Sequence, residues 1–568
     1  VCSSDLPDEP RLAAPMRDIH LAPSFQVGIG GHEEGIGAGD QGTGCFVQCG
    51  QPLDLVGARL ARLAGKGIVA QLDVARAIAE ALVHLHAPSV GQRREHPIHP
   101  VAAPRVHLDA QQADRRACGH AGSGAEYLFN TVAHLDMFGI RDRNLWRLQK
   151  LVAEVLGVSF NRIVIDMRRM GGGFGGKETQ GNQFAALAAL AAKKLERAVK
   201  FRPDRDEDMG VTGKRHDFKM DFDVAFDDDG KIHAIEANFA ARCGYSSDLS
   251  GPVTDRALFH ADSSYFYPHV KLTSQPLKTH TVSNTAYRGF GGPQGMLGAE
   301  RVIEEIAYAL GKDTLEIRKA NFYGEKGSGR DVTPYHQQVE DNIILKVVEE
   351  LETSCDYQAR RRAILEFNRT SPVIKKGIAL TPVKFGISFT MTAFNQAGAL
   401  VHIYQDGSIH LNHGGTEMGQ GLYTKVAQVV ADCFQVDVDT VKITATTTGK
   451  VPNTSATAAS SGSDLNGMAA WDAARQIKER LIAFAAEKYG VPANEVEFLP
   501  NRVRVGDQIF SFGEFAKLAY FGRVQLSAAG FYKTPKIHWD RAAGRGTPFY
   551  YFAYGAACSE VSIDTLTG

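Results

Sequence analysis

The sequence predicts an α+β fold in which strands and helices are mixed in layers. Two hairpins support this prediction: residues alternate between apolar and polar over 218–226 and 231–239, on either side of an acidic turn that ends at Gly230, and a second pair of short strands flanks Asp406-Gly407. Helical stretches follow at 293–310, 422–434 and 469–489. Because these elements do not alternate strictly, α+β layers fit better than a doubly wound sheet.

The composition narrows the class of protein before any motif is considered. The chain has 568 residues, of which 44% are hydrophobic, and a formal net charge of −1. These values predict several globular domains without a bulk charge that would select nucleic acid or an acidic membrane as partner. No apolar run has membrane-spanning length, and no secretory signal is visible. Eight cysteines are scattered without a complete zinc or iron–sulfur pattern, which indicates a reducing, cytoplasmic location.

Residues 1–147 differ from the rest of the chain. They contain thirteen arginines and a single lysine, Lys66, together with nine of the nineteen histidines, and they show little strand patterning. We hypothesise that much of this segment is an out-of-frame or wrong-strand translation, or is disordered, and that it is joined to a genuine coding segment. The residues that follow predict two domains, at 148–390 and 391–568. We expect the chain to be cut at both ends and the second domain to be truncated at its C-terminus.

A glycine-rich run is the first candidate site. Residues 171–176 read GGGFGG, and Lys177-Glu178 follows. The apolar segment 162–167 predicts a buried strand before this run, and residues 183–200 predict a helix after it. A strand, a glycine loop and a helix start together present converging backbone N–H groups, which suit an anion or a phosphorylated cofactor. The alternative is a tight turn that needs positive φ angles.

Three further loops of small residues precede helices in the same way. We number the four loops in chain order: loop 1 at 168–178, loop 2 at 284–294 (NTAYRGFGGPQ), loop 3 at 414–421 (GGTEMGQG) and loop 4 at 454–464 (TSATAASSGSD). Together they predict backbone donors that converge on one large anionic cofactor. The chain has no Walker lysine and no Rossmann unit with its acidic residue, so a plain nucleotide fits poorly.

These motifs also carry a specific resemblance. MGGGFGGKE, DRALFH at 255–260, NTAYRGFGGPQG, KFGISFT, NQAGAL, HGGTEMGQGL, VPNTSATAAS and YGAACSEV occur in this order between about residue 149 and residue 568. They resemble the molybdopterin-binding subunit of the xanthine dehydrogenase family of molybdenum hydroxylases. The resemblance implies an elongated, two-domain molybdopterin-binding architecture of the xanthine dehydrogenase/aldehyde oxidase type, and a molybdopterin cofactor that carries molybdenum.

The resemblance implies which residues hold this cofactor. Phe174, Arg288 and Ala459 would approach the molybdenum, largely through backbone groups. The pterin and its phosphate would be held by Met418, Gly419, Gln420 and Ser460. The full set of implied cofactor-binding residues is Gly172, Gly173, Phe174, Gly175, Arg288, Met418, Gly419, Gln420, Ala458, Ala459 and Ser460.

Five further residues would form the substrate pocket. By resemblance, Glu178 and Arg256 face each other across it, Phe290 and Phe389 sandwich a flat ring, and Thr390 donates from the wall. Aldehyde-oxidising relatives carry uncharged residues at the positions of Glu178 and Arg256, which favours a purine here. Without the resemblance, Glu178 is interpreted as a helix N-terminal carboxylate, Arg256 as an ordinary surface or ion-pair arginine, and the two phenylalanines as core residues.

The implied reaction is the molybdenum-dependent hydroxylation of purines, from hypoxanthine to xanthine to urate. Electrons would leave through [2Fe–2S] clusters and FAD on a partner subunit or a missing region, within a higher-order oligomer. The alternatives are a molybdenum hydroxylase for an aldehyde or another N-heterocycle, and an inactive fragment.

Two departures from the family pattern bear on catalysis. In the family, the general base is a glutamate in the motif Gly-Glu-Pro-Pro. This motif is not found in the chain, and we expect it beyond the last residue given. Glu560 is not that glutamate. No catalytic residue is therefore visible. A glutamine that contacts the cofactor in the family would fall at Arg143, inside the anomalous segment.

Overall fold

The computed structural model describes residues 20–21, 25–27, 47–49, 145–167, 170–450 and 454–568. Strands and helices are mixed without strict alternation, so the predicted α+β class is confirmed. Most of the segment 1–147 and the position Arg143 lie outside the described residues. The predictions made for them stay predictions.

The helices occupy the following positions, in chain order: α1 Leu145–Leu156, α2 Gly181–Leu195, α3 Arg205–Val211, α4 Ser250–Phe259, α5 Gly292–Leu310, α6 Thr314–Asn321, α7 Ile344–Ser354, α8 Tyr357–Thr370, α9 Leu422–Phe434, α10 Gly462–Tyr489 and α11 Phe512–Phe521. The strands are β1 His20–Leu21, β2 Phe25–Val27, β3 Val47–Cys49, β4 Asp166–Met167, β5 Phe218–Phe226, β6 Ile232–Gly244, β7 His269–Lys278, β8 Ile374–Ile387, β9 Gln396–Ile403, β10 Ile409–His413, β11 Val441–Ile443, β12 Thr446–Thr447, β13 Val496–Leu499, β14 Arg502–Val505, β15 Gln508–Ser511, β16 Ser527–Lys533, β17 His538–Asp540, β18 Arg545–Thr547 and β19 Tyr551–Asp564.

The first hydrophobic core lies on a sheet of order β1-β5-β6-β7-β3, in which β2 also pairs with β5. The predicted hairpin is confirmed: β5 and β6 are antiparallel, and the Asp227 carboxylate accepts the N–H groups of Asp229 and Lys231 in the turn. Strand β7 then runs parallel to β6. Buried residues of the sheet, such as Phe239, pack with residues of α4 and α5, and burying each large side chain contributes about 1.5–3 kcal/mol.

The second core lies on the sheet β11-β10-β9-β16. The second predicted hairpin is confirmed around Asp406, whose carboxylate accepts the N–H and the hydroxyl of Ser408. Helices α9, α10 and α11 contribute buried residues to this core, among them the alanines of α10. Small side chains let α10 approach β16 closely, since a Cβ at Gly530 would lie 2.0 Å from the carbonyl oxygen of Ala469.

Two strand pairings connect distant parts of the chain. Strands β8 and β19 form an antiparallel ladder of fourteen residues, from Ile374–Asp564 to Ile387–Tyr551. The short strand β4, just before loop 1, pairs with β12 beyond loop 3. These pairings bring the glycine loops of the two halves of the chain together.

Some boundaries differ from the sequence-based prediction. The segment 162–167 is not one buried strand: residues 160–162 form a 3-10 turn, and only Asp166 and Met167 pair, because β12 offers them two partners. Helix α10 begins at Gly462, seven residues before the predicted start, because the small residues of loop 4 continue into its first turn. None of the helices in the described ranges has the length and hydropathy of a membrane span.

Candidate functional site

Loop 1 takes a conformation that only a glycine-rich run adopts easily. Gly171, Gly172 and Gly175 have φ angles of 61°, 88° and 111°, and Phe174 has a φ of 49°. A Cβ at Gly175 would lie 2.5 Å from the carbonyl oxygen of Ala286, so loop 1 rests directly on the backbone of loop 2. The Phe174 side chain is left 59% exposed. Loop 1 therefore combines close backbone packing with one projecting aromatic ring.

Backbone hydrogen bonds connect loop 1 to loop 3. The N–H of Gly172 donates to the carbonyl of Met418 at 2.9 Å, and the N–H of Met170 donates to that of Glu417 at 3.3 Å. Loop 3 in turn contacts loop 4, since the N–H of Thr416 donates to the Thr457 hydroxyl at 2.9 Å. The four loops thus meet, as their composition and helix starts predict.

Loop 3 satisfies much of its own backbone. The Glu417 carboxylate accepts the N–H groups of Gly419, Gly421 and Tyr423 at 2.8, 3.1 and 3.0 Å. Burial acts to raise the pKa of Glu417, but these backbone donors outweigh it and hold the pKa below its ordinary value. A carboxylate at this place also suits the N-terminal end of α9. The N–H of Met418 donates to the Gln420 side chain. The backbone N–H groups of loop 3 named here therefore already have partners.

Loop 4 leaves backbone donors available. Ala459 and Ser460 have φ angles of 56° and 58°, and Ser460 is exposed at the turn before α10. Among the described residues, neither N–H group donates to the protein. Consecutive left-handed residues before a helix N-terminus are a suitable place for a negatively charged group.

Loop 2 is fixed to helix α4 by close backbone contact. Phe290 and Gly291 have φ angles of 54° and 96°, and a Cβ at Gly291 would lie 2.0 Å from the carbonyl oxygen of Val253. Phe290 is half-buried against the first core. The side chain of Arg288 is exposed, and its carbonyl accepts Nη2 of Arg215 at 2.8 Å.

Asp248 connects the residues that follow loop 1 to loop 2. Its Oδ2 accepts the hydroxyl of Thr179 at 3.0 Å, Nε2 of Gln180 at 3.2 Å and the hydroxyl of Thr285 at 2.6 Å. Glu178, next to Thr179, is 8% exposed and lies three residues before the start of α2. The carboxylate of Asp248 therefore holds the two residues that follow Glu178 against Thr285 of loop 2.

The guanidinium of Arg256 is buried between helix α4 and the end of β8. Its Nη1 donates to the carbonyl of Ser388 at 3.1 Å and its Nη2 to that of Gly386 at 2.5 Å. The rings of Phe385 and Phe549 lie 4.9 and 5.2 Å from the guanidinium carbon. Burial lowers the pKa of Arg256 to about 10, so the group is charged at neutral pH. Its Nε is buried and has no partner within the described residues.

Phe389 and Thr390 follow Ser388 directly and lie in the bend after β8. The side chain of Asn395 brackets Phe389: Oδ1 accepts its N–H and Nδ2 donates to its carbonyl, both at 2.8 Å. Phe389 is half-buried, packs against the second core, and meets Phe394 edge-on with the ring centroids 5.8 Å apart. The bend after β8 thus brings Phe389 close to the guanidinium of Arg256.

Sequence reasoning missed several residues that organise the site. The side chains of His260 and Asp248 connect segments that are far apart in the chain, and that of Asn395 fixes the nearby Phe389. No local periodicity marks such residues. Glu417 had a weak signal, because it lies five residues before the start of α9 and a carboxylate near a helix N-terminus is a common feature.

The arrangement fits a large, flat, anionic cofactor. Loops 1 and 2 approach each other through Gly175 without intervening side chains. Within the described part of the chain, loop 4 has N–H groups without a protein acceptor at Ala459 and Ser460. The N–H groups of loop 3 mostly have partners already, so this loop contributes the shape of its backbone. Of the residues predicted for the cofactor, Gly172 and Met418 are in direct contact, and Phe174 and Arg288 project from adjoining loops.

Comparison with known proteins agrees with this geometry. Residues 141–322 and residues 350–568 each match a family model described as a molybdopterin cofactor-binding domain. Among curated proteins, the chain is 44% identical over 429 residues to a xanthine dehydrogenase of Dictyostelium discoideum, covering 75% of this chain and 30% of that protein. It is 47% identical over 420 residues to a xanthine dehydrogenase of Oryza sativa subsp. japonica, covering 74% and 29%. The chain spans about 30% of the length of these relatives.

Solved structures share the fold at lower identity. The Cu,Mo-CO dehydrogenase in its carbon monoxide reduced state aligns with a TM-score of 0.65 and 22% identity, covering 74% of this chain and 54% of that chain. The quinoline 2-oxidoreductase from Pseudomonas putida 86 aligns with a TM-score of 0.62 and 21% identity, covering 75% and 55%. At this level of identity, the likeness concerns the fold.

Proposed function

Because the chain belongs to the molybdopterin cofactor-binding family of the xanthine dehydrogenase type, we propose that it is the cofactor-binding part of an enzyme that hydroxylates purines. When bound, the molybdenum cofactor supplies the two-electron redox chemistry of this reaction. Iron–sulfur and FAD groups on further domains or on a partner subunit would carry the electrons away. We expect the assembly to be a higher-order oligomer in the cytoplasm.

The observation that carries the proposal is the buried guanidinium of Arg256. It is charged and almost inaccessible to solvent. It donates to the carbonyl of Ser388, the residue immediately before Phe389 and Thr390. Its Nε–H lacks a partner within the described residues, so this donor can serve an acceptor that binds beside it. A purine oxygen is an acceptor of the right chemistry, because negative charge that develops on it would be stabilised by the arginine.

The remaining predicted residues suit the same substrate. Phe290 and Phe389 can pack on the two faces of a planar, poorly soluble ring. Glu178 can accept an N–H from the purine or share a proton with a ring nitrogen, and Thr390 can donate to the rim. The protein's part is thus to orient the ring, exclude water from its faces and hold charge at its edge.

The test is the holoenzyme that contains this chain, produced in a host that makes the molybdenum cofactor. We expect bound molybdenum and the formation of urate from xanthine. Molybdenum with oxidation of aldehydes but not of xanthine would instead support the aldehyde alternative. Absence of both molybdenum and turnover would leave a protein without this function.

Within that holoenzyme, two substitutions address the substrate directly. Glu178→Val and Arg256→Met replace the two charged residues with uncharged ones, and we expect each to lower kcat/KM for xanthine by about tenfold or more, because a hydrogen bond to a charged group is lost. Unchanged purine turnover in both variants would contradict the assignment of a purine.

A further inference from the structure

His260 closes a cycle of hydrogen bonds with Arg256 and Gly386. The Nδ1 atom of His260 lies 3.0 Å from the carbonyl oxygen of Arg256, and its Nε2 lies 3.1 Å from the backbone nitrogen of Gly386. The third side of the cycle is the bond from Arg256 Nη2 to the carbonyl of Gly386 at 2.5 Å. His260 is 1% exposed, and its ring also packs on Phe385 with the centroids 4.6 Å apart.

Gly386 depends on this cycle because of its position on β8. Its neighbour Ile387 accepts the N–H of Tyr550 on the side of β19. Backbone groups of successive strand residues point to opposite edges, so those of Gly386 point away from β19. Among the described residues β8 pairs with β19 alone. Without His260 and Arg256, a buried N–H and a buried carbonyl would have no partner, which is unfavourable.

The pattern of donors assigns the tautomer of His260. A backbone N–H can only donate, so Nε2 must accept from Gly386, and Nδ1 must carry the proton that is donated to Arg256. Burial and the nearby charges of Arg256 and Lys384 keep the pKa of His260 well below its ordinary value. A neutral imidazole is therefore the form that satisfies both contacts.

We propose that His260 is a positioning residue for substrate binding: it ties the helix that carries Arg256 to the strand end that leads to Phe389. One imidazole then sets the distance between the guanidinium and the aromatic ring, because Arg256 Nη1 also binds the carbonyl of Ser388, next to Phe389. This inference rests on the proposed function, since it assumes that Arg256 and Phe389 bind the purine.

Replacing His260 distinguishes positioning from simple packing. His260→Leu keeps an apolar side chain but removes both hydrogen bonds, whereas His260→Gln keeps one donor and one acceptor. In the holoenzyme we expect His260→Leu to raise the dissociation constant of urate, measured by equilibrium binding, and the KM for xanthine by about tenfold. We expect His260→Gln to recover part of that loss, and kcat to change less than KM.

A second background isolates the route through Arg256. In the Arg256→Met holoenzyme, His260→Leu should have little further effect on urate binding, because the residue it positions is gone. Tyr267→Phe is the matched control: it removes another buried hydrogen bond beside His260, from Tyr267 to the carbonyl of Ala261, while the hydrogen bonds of Arg256 go to other residues. We expect it to lower thermal stability and leave the urate dissociation constant unchanged.

Several outcomes would overturn the inference. They are an unchanged urate dissociation constant in both His260 variants, equal fold-changes in the wild-type and Arg256→Met backgrounds, and an effect of Tyr267→Phe on binding as large as that of His260→Leu. Should His260→Leu fail to fold, His260→Gln measured against wild type decides the question in the same way. If the wild-type holoenzyme neither binds urate nor oxidises xanthine, it is the proposed function that fails.

Discussion

The Nη1 atom of Arg256 lies 3.1 Å from the carbonyl oxygen of Ser388, a residue 132 positions further along the chain and immediately before Phe389. This bond couples the positions of the Arg256 and Phe389 side chains, to which the sequence assigns separate roles. A change at the end of β8 is therefore expected to alter both the charged and the aromatic contact with a substrate.

We expect Asn395→Ala to weaken purine binding. The Asn395 side chain is 2% exposed and holds both the N–H and the carbonyl of Phe389. Losing both bonds should destabilise the protein by about 1–3 kcal/mol and raise the KM for xanthine several-fold, because Phe389 loses its fixed position. Steady-state kinetics of the holoenzyme, together with urea unfolding, measure the two effects.

Asn368→Ala is the matched control for Asn395. Asn368 brackets Lys376 near the other end of β8 with the same pair of contacts, each 2.8 Å long. We expect Asn368→Ala to lower the free energy of unfolding by a similar amount and to leave the KM for xanthine unchanged. A KM that rises equally in both variants would show that general destabilisation, rather than the position of Phe389, sets the affinity.

Gly175→Ala is expected to prevent cofactor binding. Alanine is strained at the φ of 111° that Gly175 adopts, and its Cβ would lie 2.5 Å from the carbonyl oxygen of Ala286. Loops 1 and 2 would therefore be forced apart, at a cost of about 1–3 kcal/mol or more. Gly176→Ala is the control, because the space around Gly176 is open. Molybdenum per polypeptide should fall strongly in the first variant and stay near the wild-type value in the second. Equal molybdenum contents would contradict the close contact of the loops.

Glu178→Gln should reduce purine turnover selectively. The amide has the same shape but lacks the charge and the proton-accepting capacity of the carboxylate. We expect kcat/KM for xanthine to fall by about tenfold or more, and that for a small aldehyde to change less. Glu154→Gln, on the exposed surface of α1, should have no effect on either substrate. Parallel losses for xanthine and aldehyde would argue for a structural role of Glu178 instead.

Acid should destabilise the second core through His413. Burial lowers the pKa of His413 from 6.5 to about 4, although the charge of Glu417 acts in the opposite direction. As the pH falls below about 6.5, the unfolded chain takes up the proton before the folded chain does, so stability is lost between about pH 6.5 and pH 4. The loss should approach about 3 kcal/mol in urea unfolding.

His413→Asn checks the contribution of this histidine. Asparagine does not titrate and can still accept the N–H of Gly415, which bonds His413 Nδ1 at 3.1 Å. The difference in unfolding free energy between pH 7 and pH 5 should shrink by about 2 kcal/mol in the variant. A difference as large as in the wild type would assign the acid sensitivity to other groups.

The sequence was informative where local chemistry decides the structure. The acidic hairpin turn after β5 and the glycine loops before α2 and α5 follow from residues that are neighbours in the chain, so they could be predicted. The short β4 could not, because its length depends on β12, more than 270 residues away. The aromatic contacts of Arg256 likewise involve Phe549, which lies nearly 300 residues further along the chain.

The site residues divide in the same way. Glu178, Arg256, Phe290 and Phe389 were identified by motif, yet their geometry depends on the side chains of His260, Asn395 and Asp248. His260 and Asn395 lie inside the motifs DRALFH and NQAGAL, but the motifs do not indicate what these side chains contact. His260 and Asp248 bond to atoms of segments more than 30 residues away, whereas Asn395 bonds to Phe389, six residues before it. The long-range contacts form only when these segments come together in the folded chain, and for that reason the sequence pattern does not reveal them.

The fourteen-residue ladder between β8 and β19 has a consequence for biosynthesis. The ribosome adds about 160 residues between Ile387 and Tyr551, which takes on the order of 10 to 30 seconds at about 5–20 residues per second. During that time β8 has an unpaired edge, and such edges invite association with other chains. The strand end that leads to Phe389 is paired only after β19 has emerged, so a nascent chain that stops before Tyr551 leaves this edge of β8 open to other chains.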